Sequence, residues 1–384
     1  MKALRNYLNK VKPNFEPEGK LHAFRSLFDG FETFLYVPNT TARTGVNIHD
    51  AIDSKRIMSM VVIALVPALL FGMYNVGYQN YAAAGTLATA SFWELFFFGF
   101  LAVLPKLLVS YIVGLGIEFA WAQWKGEEIQ EGFLVSGILI PMIIPVNCPL
   151  WILAIAVAFA VIIGKEIFGG TGMNIFNPAL VCRAFLFFAY PTKMSGDQVW
   201  VAQDTIFGLG NTLPDGFSQA TPLGQIGQNV DVTASLNDMI MGFIPGSIGE
   251  TSVIAIAIGA LILLVTRIAS WKTMLSVFVG GALMACIFEQ TGQSAIPWYE
   301  HLVLGGFAFG AVFMATDPVT SCRTETGKWF YGFLIGVMAI VIRVLNPGYP
   351  EGMMLAILLM NMFAPTIDHF VVERNISKRM KRSK

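Results

Sequence analysis

The sequence carries little charge. Only 13% of its 384 residues are charged and 55% are hydrophobic, whereas a soluble domain carries about 25% charged residues. This composition excludes an ordinary soluble protein and indicates a polytopic membrane protein. The 37 glycines fit that class, because small residues allow membrane helices to pack closely. The 25 basic and 25 acidic residues cancel, so the total charge says little about partners. No nucleic-acid partner is expected of such a membrane protein.

Cysteine and histidine are also scarce, with four of each. The cysteines are scattered and no two fall at metal-ligand spacing, which argues against a zinc or iron–sulfur site held by this chain alone. The catalytic motifs G-x-S-x-G and H-E-x-x-H are absent, and no catalytic residue is predicted. The first 20 residues are charged and lack an apolar core, so no cleavable signal peptide is expected.

Long apolar runs begin after Arg56. A membrane helix needs about 20 apolar residues, and two of the runs, the third and the fifth, are short and bounded by Pro or Gly. We therefore predict an all-α polytopic membrane protein of about ten helices, some of them broken or tilted. The candidate spans are 57–77, 103–123, 130–146, 150–167, 177–191, 251–266, 273–290, 300–316, 328–344 and 352–370.

The distribution of Lys and Arg predicts the orientation. If both termini are cytoplasmic, the inside segments hold most of the Lys and Arg residues of the connections and the basic tail "ERNISKRMKRSK". The outside segments hold only Lys193, in the long loop 192–237. Cytoplasmic loops are enriched in Lys and Arg, so this count supports the predicted orientation. Thr221, within that loop, is therefore expected outside.

The long loop divides the ten spans into five plus five, which is the pattern of inverted repeats in many transporters. The Pro-broken segments "PMIIPVNCPL" and "GFIPGSIGE" are weak internal echoes of each other. The predicted domains are a cytoplasmic N-terminal segment (1–56), a first five-helix repeat (57–191), the external loop (192–237), a second repeat (238–371) and a basic cytoplasmic tail (372–384).

Three of the acids in or at the ends of the predicted spans are taken as candidates: Glu118, Asp317 and Asp368. A carboxylate in the bilayer is costly, so each is a candidate functional residue. A carboxylate near the carbonyl groups of a broken helix suits a dehydrated cation such as Na⁺. The alternative is that these acids lie in headgroup water at helix ends and have no special role. Glu118 is the deepest of the three.

The block "FGGTGMNIFNPALVCRAF" (168–185) is rich in glycine and continues into Asn177-Pro178. Asn as a cap followed by Pro is typical of a helix start. A helix start beside a glycine-rich turn offers free N–H donors for a polar ligand, such as an isoalloxazine ring. The alternative is a tight loop between two spans. The block lacks the spacing of a dinucleotide or P-loop motif.

Several long segments resemble one family. They are "KRIMSMVVIALVPALLFGMYN" (55–75), "GKEIFGGTGMNIFNPALVCRAFLFFAYP" (164–191), "IPGSIGE" (244–250), "HLVLGGFAFGAVFMATDPV" (301–319) and "NPGYPEGMMLAILLMNMFAPTIDHFVVERN" (346–375). Together with "FEPEGK" (15–20), they are similar to the B subunits of the Na⁺-translocating NADH:quinone oxidoreductase. The D-type subunits of the related Rnf complex share the general pattern but usually lack so long a charged N-terminal segment.

The resemblance implies a covalent FMN. In this family a threonine in a Ser-x-Ala-Thr context carries FMN through a phosphoester bond, and the match here is Ser218-Gln219-Ala220-Thr221. Many members have Gly where this chain has Gln219. The hydroxyl and its small neighbour Ala220 remain, so modification of Thr221 by a transferase is expected.

The resemblance also implies riboflavin, a quinone site near the cytoplasmic face and Na⁺ movement coupled to electron flow, with the family's membrane acids matching Glu118, Asp317 and Asp368. Asn174, Asn177 and Arg183 are the riboflavin ligands suggested by the glycine-rich block, and Gly114 marks the quinone site. The expected partners are the other subunits of a six-subunit complex in a bacterial inner membrane, including a periplasmic-facing FMN subunit.

Two other functions remain open from the sequence. One is an Rnf-type electron-transport subunit with the same covalent FMN but a different electron donor and acceptor. The other is a cofactor-free channel or transporter on the same five-plus-five frame, because a fold does not decide function.

Overall fold

A computed structural model describes residues 2–15, 19, 24, 28, 32, 35–36, 44–46, 54–126, 132–214, 217, 219–228, 230, 232–346, 348 and 351–382. Most of the predicted N-terminal segment 1–56 and Ser218 of the Ser-x-Ala-Thr match lie outside these residues. Within them, helices are the regular secondary structure, and a single isolated bridge joins Ile206 and Leu209. The all-helical prediction is confirmed for this part of the chain.

The apolar helices form one bundle and are labelled α1 to α10. They are α1 (Ser54–Ala83), α2 (Phe92–Lys125), α3 (Phe133–Met142), α4 (Leu150–Ile162), α5 (Pro178–Ala189), α6 (Val253–Val265), α7 (Trp271–Gln290), α8 (Phe307–Phe309, continued by the π-helix Gly310–Met314), α9 (Glu325–Leu345) and α10 (Met353–Arg382). Short helices also occur at Lys2–Val11, Pro191–Met194, Pro222–Gly227, Leu236–Met241 and Glu300–Val303, with 3₁₀ turns at Lys12–Asn14, Leu87–Thr89 and Glu166–Phe168.

Six of these helices are long and apolar enough to cross a membrane: α1, α2, α4 with its 3₁₀ extension to Phe168, α7, α9 and α10. Helices α3, α5 and α6 are apolar but shorter. At about 1.5 Å per residue, the ten residues of α3 rise only ~15 Å, half of a bilayer core. The structure therefore agrees with a polytopic membrane protein, while the crossing of all ten segments stays a prediction.

Two boundaries differ from the predicted spans by more than ten residues. Helix α2 begins at Phe92, eleven residues before the predicted span, because Ser91 and Glu94 form a capping box. The Ser91 hydroxyl accepts the Glu94 N–H at 3.3 Å and the Glu94 carboxylate accepts the Ser91 N–H at 2.9 Å. Helix α10 continues through the predicted basic tail to Arg382.

Helices α3 and α8 lie in the centre of the bundle. Phe133 and every residue from Ser136 to Met142 of α3 are buried, as is the whole of α8. Non-helical backbone at membrane depth is tolerated where protein surrounds it, and these two helices end in such segments. The long helices surround them and expose large apolar side chains such as Ile112 and Phe330.

Close contacts between long helices depend on glycine. On α7, a Cβ added at Gly280 would overlap the carbonyl oxygen of Phe333 on α9. On α9, a Cβ added at Gly336 would overlap the carbonyl oxygen of Val277 on α7. The two backbones therefore approach each other directly, as small residues permit in membrane bundles.

The polar segment between α5 and α6 is tied to the bundle by asparagine side chains. Asn80 of α1 donates to the carbonyl oxygens of Ala202 and Asn211 at 2.8 and 2.9 Å and accepts the Asn211 N–H at 2.8 Å. A small hydrophobic cluster of Leu223, Met239, Ile244, Ile296 and Leu304 packs the end of this segment. These contacts hold Thr221 at a fixed place on the bundle.

Candidate functional site

Thr221 lines a cavity of about 280 Å³, which is called the Thr221 cavity below. Its walls combine aromatic side chains, Phe187 and Trp200, with the hydroxyl groups of Ser247 and Thr251. Its volume is near the lower end of those that hold small organic ligands, and its mixture of apolar walls and a few polar groups is typical of such sites.

The local sequence fixes the direction of the Thr221 hydroxyl. Thr221 is the N-cap of Pro222–Gly227, with Pro222 at the first helical position. Its Oγ1 accepts the N–H of Gly224 at 3.0 Å. Leu223, in the same turn, packs against Gly305, whose φ of +62° and missing side chain leave room for it. The hydroxyl is thus held at the cavity wall and not in a free loop.

Three charged side chains form the base of the Thr221 cavity. Arg183 of α5 donates from Nη1 to Oε1 of Glu250 at 2.7 Å, and its Nη2 forms an ion pair with Oε2 of Glu351. Arg183 and Glu250 are almost completely buried. A buried charge needs such partners, so this arginine joins three separate segments of the chain.

The cavity also holds a hydroxyl without a partner. Thr251 is 4% exposed, and its Oγ1 has no hydrogen-bond partner among the described residues. Buried polar groups in native proteins are nearly always paired, so an unpaired one at a cavity wall indicates a ligand. The residues present fit a flavin mononucleotide joined to Thr221, since the aromatic walls suit the rings and the hydroxyls suit their polar edge.

A second cavity, the Asn177 cavity, lies at the start of α5. It has a volume of about 70 Å³ and is lined by polar groups of Ser136, Lys165, Thr171, Asn174 and Asn177. Oγ1 of Thr171 is buried without a partner among the described residues. The amide groups can bind the polar edge of a flavin, whereas the volume holds only a few water molecules, so a ring system would require the walls to separate.

Asp317 joins the Asn177 cavity from the segment after α8. Its Oδ2 accepts from Asn177 Nδ2 at 3.1 Å and from Thr320 Oγ1 at 3.0 Å, and its Oδ1 accepts the Val319 N–H at 3.0 Å. Asn177 also caps α5, because its Oδ1 accepts the Ala179 N–H at 3.0 Å. Both sequence candidates therefore have defined bonds to neighbouring groups.

The structure separates the three residues that were predicted to bind riboflavin. Asn174 and Asn177 line the Asn177 cavity, but Arg183 lines the Thr221 cavity. The reason is helical: Arg183 is six residues after Asn177, more than one and a half turns along α5. The two asparagines can act together, and Arg183 belongs with Thr221.

Glu118 of α2 forms a buried ion pair with Lys165. Glu118 is 4% exposed, its Oε2 has no partner among the described residues, and Lys165 also lies 4.0 Å from Glu166. The pair explains how a carboxylate is tolerated at this depth, since an isolated buried charge would cost several kcal/mol. Lys165 also lines the Asn177 cavity, which places the pair beside it.

Asp368 and Gly114 have clear structural contacts. Asp368 of α10 accepts the N–H groups of Arg323 and Thr324 at 2.7 and 3.0 Å, immediately before α9. A Cβ at Gly114 of α2 would overlap the ring of Phe133 on α3. These contacts account for both residues by packing, and their proposed roles toward Na⁺ and quinone rest on the family resemblance.

Comparison with known proteins identifies the family. The model of the NQR2, RnfD, RnfE family matches residues 41–377. The chain belongs to this family. It is 48% identical to the B subunit of the Na⁺-translocating NADH-quinone reductase of Chromohalobacter salexigens, over 99% of this chain and 96% of the relative. The subunits of the same name from Pseudomonas aeruginosa and Azotobacter vinelandii are each 44% identical over 99% of both chains.

Sequence reasoning missed Glu250 and Glu351 as site residues. Each stands in a block that carried the family resemblance, Glu250 at the end of "IPGSIGE" and Glu351 within "NPGYPEG". Both blocks lie between apolar runs, where an acidic residue does not by itself indicate a functional site. The available signal of a site was an acid in a Gly- and Pro-rich block beside a predicted span. Only the fold shows that Arg183 binds both Glu250 and Glu351.

Proposed function

We propose that this chain is a membrane subunit of a redox-driven sodium pump, in which electrons from NADH pass to quinone while Na⁺ is exported. Its similarity to the B subunits of Na⁺-translocating NADH-quinone reductases over nearly the whole chain supports this proposal. The chain would not be a complete enzyme by itself. It would act with the other subunits of a six-subunit complex in the bacterial inner membrane, one of them a periplasmic-facing FMN subunit.

The first cofactor is FMN, attached to Thr221 as a phosphate ester. The observation that carries this step is the position of the Thr221 hydroxyl at the wall of a cavity that also holds the unpaired hydroxyl of Thr251. The Thr221 oxygen would form a new bond to the flavin phosphorus as another oxygen substituent leaves, with a transferase supplying the base. The Pro222 turn keeps this oxygen at a wall that a flavin phosphate can reach.

The second cofactor is riboflavin, held at the Asn177 cavity by Asn174 and Asn177. Helix α6 extends between the two cavities. Thr251, just before its start, lines the Thr221 cavity, and Leu263, near its end, lines the Asn177 cavity. Twelve residues of helix rise about 18 Å. Electrons would enter at the Thr221 cavity, reach the Asn177 cavity and leave to quinone near Gly114. The chain supplies position and electrostatics while the cofactors carry the electrons.

The two cavities would face opposite sides of the membrane if the halves are inverted repeats. The packing supports this arrangement, because the two halves repeat the same contacts. In the first half, α2 packs on α4, and α3 packs on α1 and α5. In the second half, α7 packs on α9, and α8 packs on α6 and α10. Between the halves, α1 packs on α6 and α5 on α10. One departure is that α1 packs extensively on α2, whereas α6 and α7 make no comparable contact.

The Na⁺ route would use the three membrane acids, Glu118, Asp317 and Asp368. Glu118 supports this role best, because one of its carboxylate oxygens lacks a partner among the described residues although the residue is buried. No group of three or more His, Cys, Asp or Glu side chains that could hold a metal ion occurs in the described part of the chain. Any Na⁺ site in this part of the chain would therefore combine at most two acids with carbonyl or hydroxyl oxygens.

The test of the FMN proposal is in-gel fluorescence of the denatured and washed chain from cells that contain the transferase. We expect a fluorescent band in the wild type and a dark band in Thr221→Val. Thr233→Val is the matched control, because Thr233 lies in the same polar segment and bonds Gln225 outside the cavity. A mass spectrum of the tryptic peptide 194–267 should show one added FMN.

A dark wild-type band would contradict the flavin proposal and favour a cofactor-free channel on the same frame. A fluorescent band with no Na⁺-dependent, quinone-linked oxidation of NADH in the assembled complex would favour an Rnf-type subunit. The family model covers both lineages, so the second assay is needed to separate them.

A further inference from the structure

The base of the Thr221 cavity holds two carboxylates and one guanidinium. Arg183 binds Glu250 through Nη1 and Glu351 through Nη2, so both acids share a single cation. The side chains of Arg183, Glu250 and Glu351 are 5%, 6% and 17% exposed. With every group ionised, this triad would keep one excess negative charge out of water, which is unfavourable.

The two carboxylates also face each other. A Cβ built on Gly306 would lie 2.7 Å from Oε1 of Glu250 and 2.8 Å from Oε1 of Glu351. These two oxygens thus border the same methyl-sized space, which only glycine leaves open. Two carboxylates this close cannot easily both be ionised, and a pair of this kind binds and releases a proton as one unit.

Other titratable groups also lie near the triad, and one of them is a cation. Arg343 of α9 donates to the carbonyl oxygens of His301 and Leu304 at 2.6 and 3.1 Å and to the backbone carbonyl oxygen of Glu351 at 3.5 Å. Its positive charge also interacts with the Glu351 carboxylate. His301 bonds Ser294 at 2.8 Å. Asp197 also lines the cavity, and its negative charge offsets that of Arg343, so one excess negative charge remains when every group is ionised.

An independent observation indicates that the cavity receives a ligand next to this triad. The buried hydroxyl of Thr251 has no partner among the described residues and belongs to the residue that follows Glu250. Thr251, Glu250 and Glu351 all line this cavity, so a ligand that binds Thr251 would share the cavity with the carboxylate pair. Any negative charge that this ligand gains would add to that of the triad.

We propose that Glu250 and Glu351, joined by Arg183, form a proton-exchange site that takes up one proton when an electron enters the Thr221 cavity and releases it when the electron leaves. This inference rests on the proposed attachment of FMN to Thr221. The electron comes from the donor flavoprotein and the proton from water at the mouth of the cavity. On uptake, an O–H bond of hydronium in that water breaks as the O–H bond of one carboxyl group forms, and release reverses this step.

The test uses the assembled complex with wild-type chain, Glu250→Gln, Glu351→Gln and the control Glu289→Gln. Glu289 is an exposed acid that bonds the Trp298 N–H at 3.0 Å and does not line the cavity. In-gel fluorescence first establishes that each variant carries FMN. The midpoint potential of this flavin is then measured by its absorbance from pH 6 to pH 9.

We expect the potential to fall with pH in the wild type and in Glu289→Gln. One proton taken up per electron changes the equilibrium tenfold per pH unit, about 59 mV. The slope should be clearly smaller in Glu250→Gln and Glu351→Gln, and Glu250→Asp should restore it. If Glu250→Gln does not assemble, Glu351→Gln carries the test, because that side chain is more exposed.

Redox-difference infrared spectra give a second readout. A carboxyl C=O band should appear on reduction in the wild type and be lost in both Gln variants. If the Gln variants keep both the wild-type slope of potential against pH and the infrared carboxyl band, the proton-exchange site is overturned. A wild-type chain without fluorescence in the gel would instead overturn the attachment of FMN, so the two failures are distinct.

Discussion

The side-chain amide of Asn177 donates to the carboxylate of Asp317 at 3.1 Å. This bond joins the start of α5, in the first half of the chain, to the segment after α8, in the second half. Both residues line the Asn177 cavity. The bond therefore places the amide that caps α5 and an acid of the proposed Na⁺ route within one hydrogen-bonded group, beside the proposed flavin.

Replacing Asn177 should affect stability and cofactor content differently from replacing Asn174. Asn177→Ala removes the cap of α5, which typically contributes about 1 kcal/mol, and also removes a donor from Asp317. We expect a lower melting temperature and loss of noncovalent riboflavin, measured after extraction. Asn174→Ala, which bonds only Gly172 and Phe176 in its own loop, should lose riboflavin with less effect on melting. Full riboflavin content in both variants would contradict the proposed site.

Glu118→Gln should weaken the Na⁺ stimulation of turnover more than it lowers flavin content. The variant keeps the shape of the side chain but removes the charge that faces Lys165, and breaking a buried pair costs about 3–5 kcal/mol. The double variant Glu118→Gln/Lys165→Met is the control, because it removes both charges. If the double variant regains stability but not Na⁺ stimulation, the Na⁺ role is separate from folding. An unchanged Na⁺ dependence in Glu118→Gln would refute that role.

The stability of the flavin-free protein should depend on pH through Glu250. Burial raises the pKa of this carboxyl group above its usual range, although Arg183 opposes the shift. The folded state then keeps a proton that the unfolded state has released, so stability falls as pH rises from about 5 to about 8. We expect the melting temperature of Thr221→Val to fall over this interval. Addition of Glu250→Gln should flatten the fall; equal slopes would count against the raised pKa.

The contact between α7 and α9 should not tolerate a side chain at Gly280. Gly280→Ala forces the α7 backbone away from the carbonyl oxygen of Phe333, and we expect a loss of about 1–3 kcal/mol, measured as a lower melting temperature. Gly116→Ala is the matched control, because Gly116 is also inside a helix but has no atom within 4 Å of an added Cβ. That change should be neutral or stabilise by up to about 1 kcal/mol.

The predicted orientation can be tested by labelling single cysteines. Phe207 lies in the polar segment before Thr221 and is 91% exposed, and Met380 lies near the end of α10 and is 56% exposed. A membrane-impermeant maleimide added to intact spheroplasts should label Phe207→Cys but not Met380→Cys. The native cysteines are buried except Cys286, which is partly buried, so Cys286→Ala provides the background. The opposite labelling pattern would reverse the topology and place Thr221 in the cytoplasm.

The helices were largely predictable from the sequence because their signals are local. Apolar runs predicted the positions of α1 to α10, and the Asn177-Pro178 pair predicted the start of α5, since a cap and a first-turn proline need only their own neighbours. The early start of α2 depended on Ser91 and Glu94. That signal was also local but stood in a segment with too few apolar residues to be assigned to a span.

The sites were predictable only in part. Thr221 and Asn177 stand in recognisable motifs. The free-energy cost of a charge in the bilayer indicated Glu118 as a candidate. The assignment of Arg183 to the riboflavin group came from its nearness in sequence to Asn177, whereas the turn of α5 directs it to the other cavity. No local pattern could pair Arg183 with both Glu250 and Glu351, because these residues come from three segments.

The attachment of FMN to Thr221 is a proposal that rests on the family resemblance. The sequence by itself determined the membrane character and the position of the apolar helices. These follow from composition and from contacts within a few residues. The tertiary structure alone decided which charges share a cavity, since helices from both halves must pack before Arg183 can join Glu250 to Glu351 or Asn177 can reach Asp317. Burial makes such pairing necessary, and only the folded bundle supplies the partners.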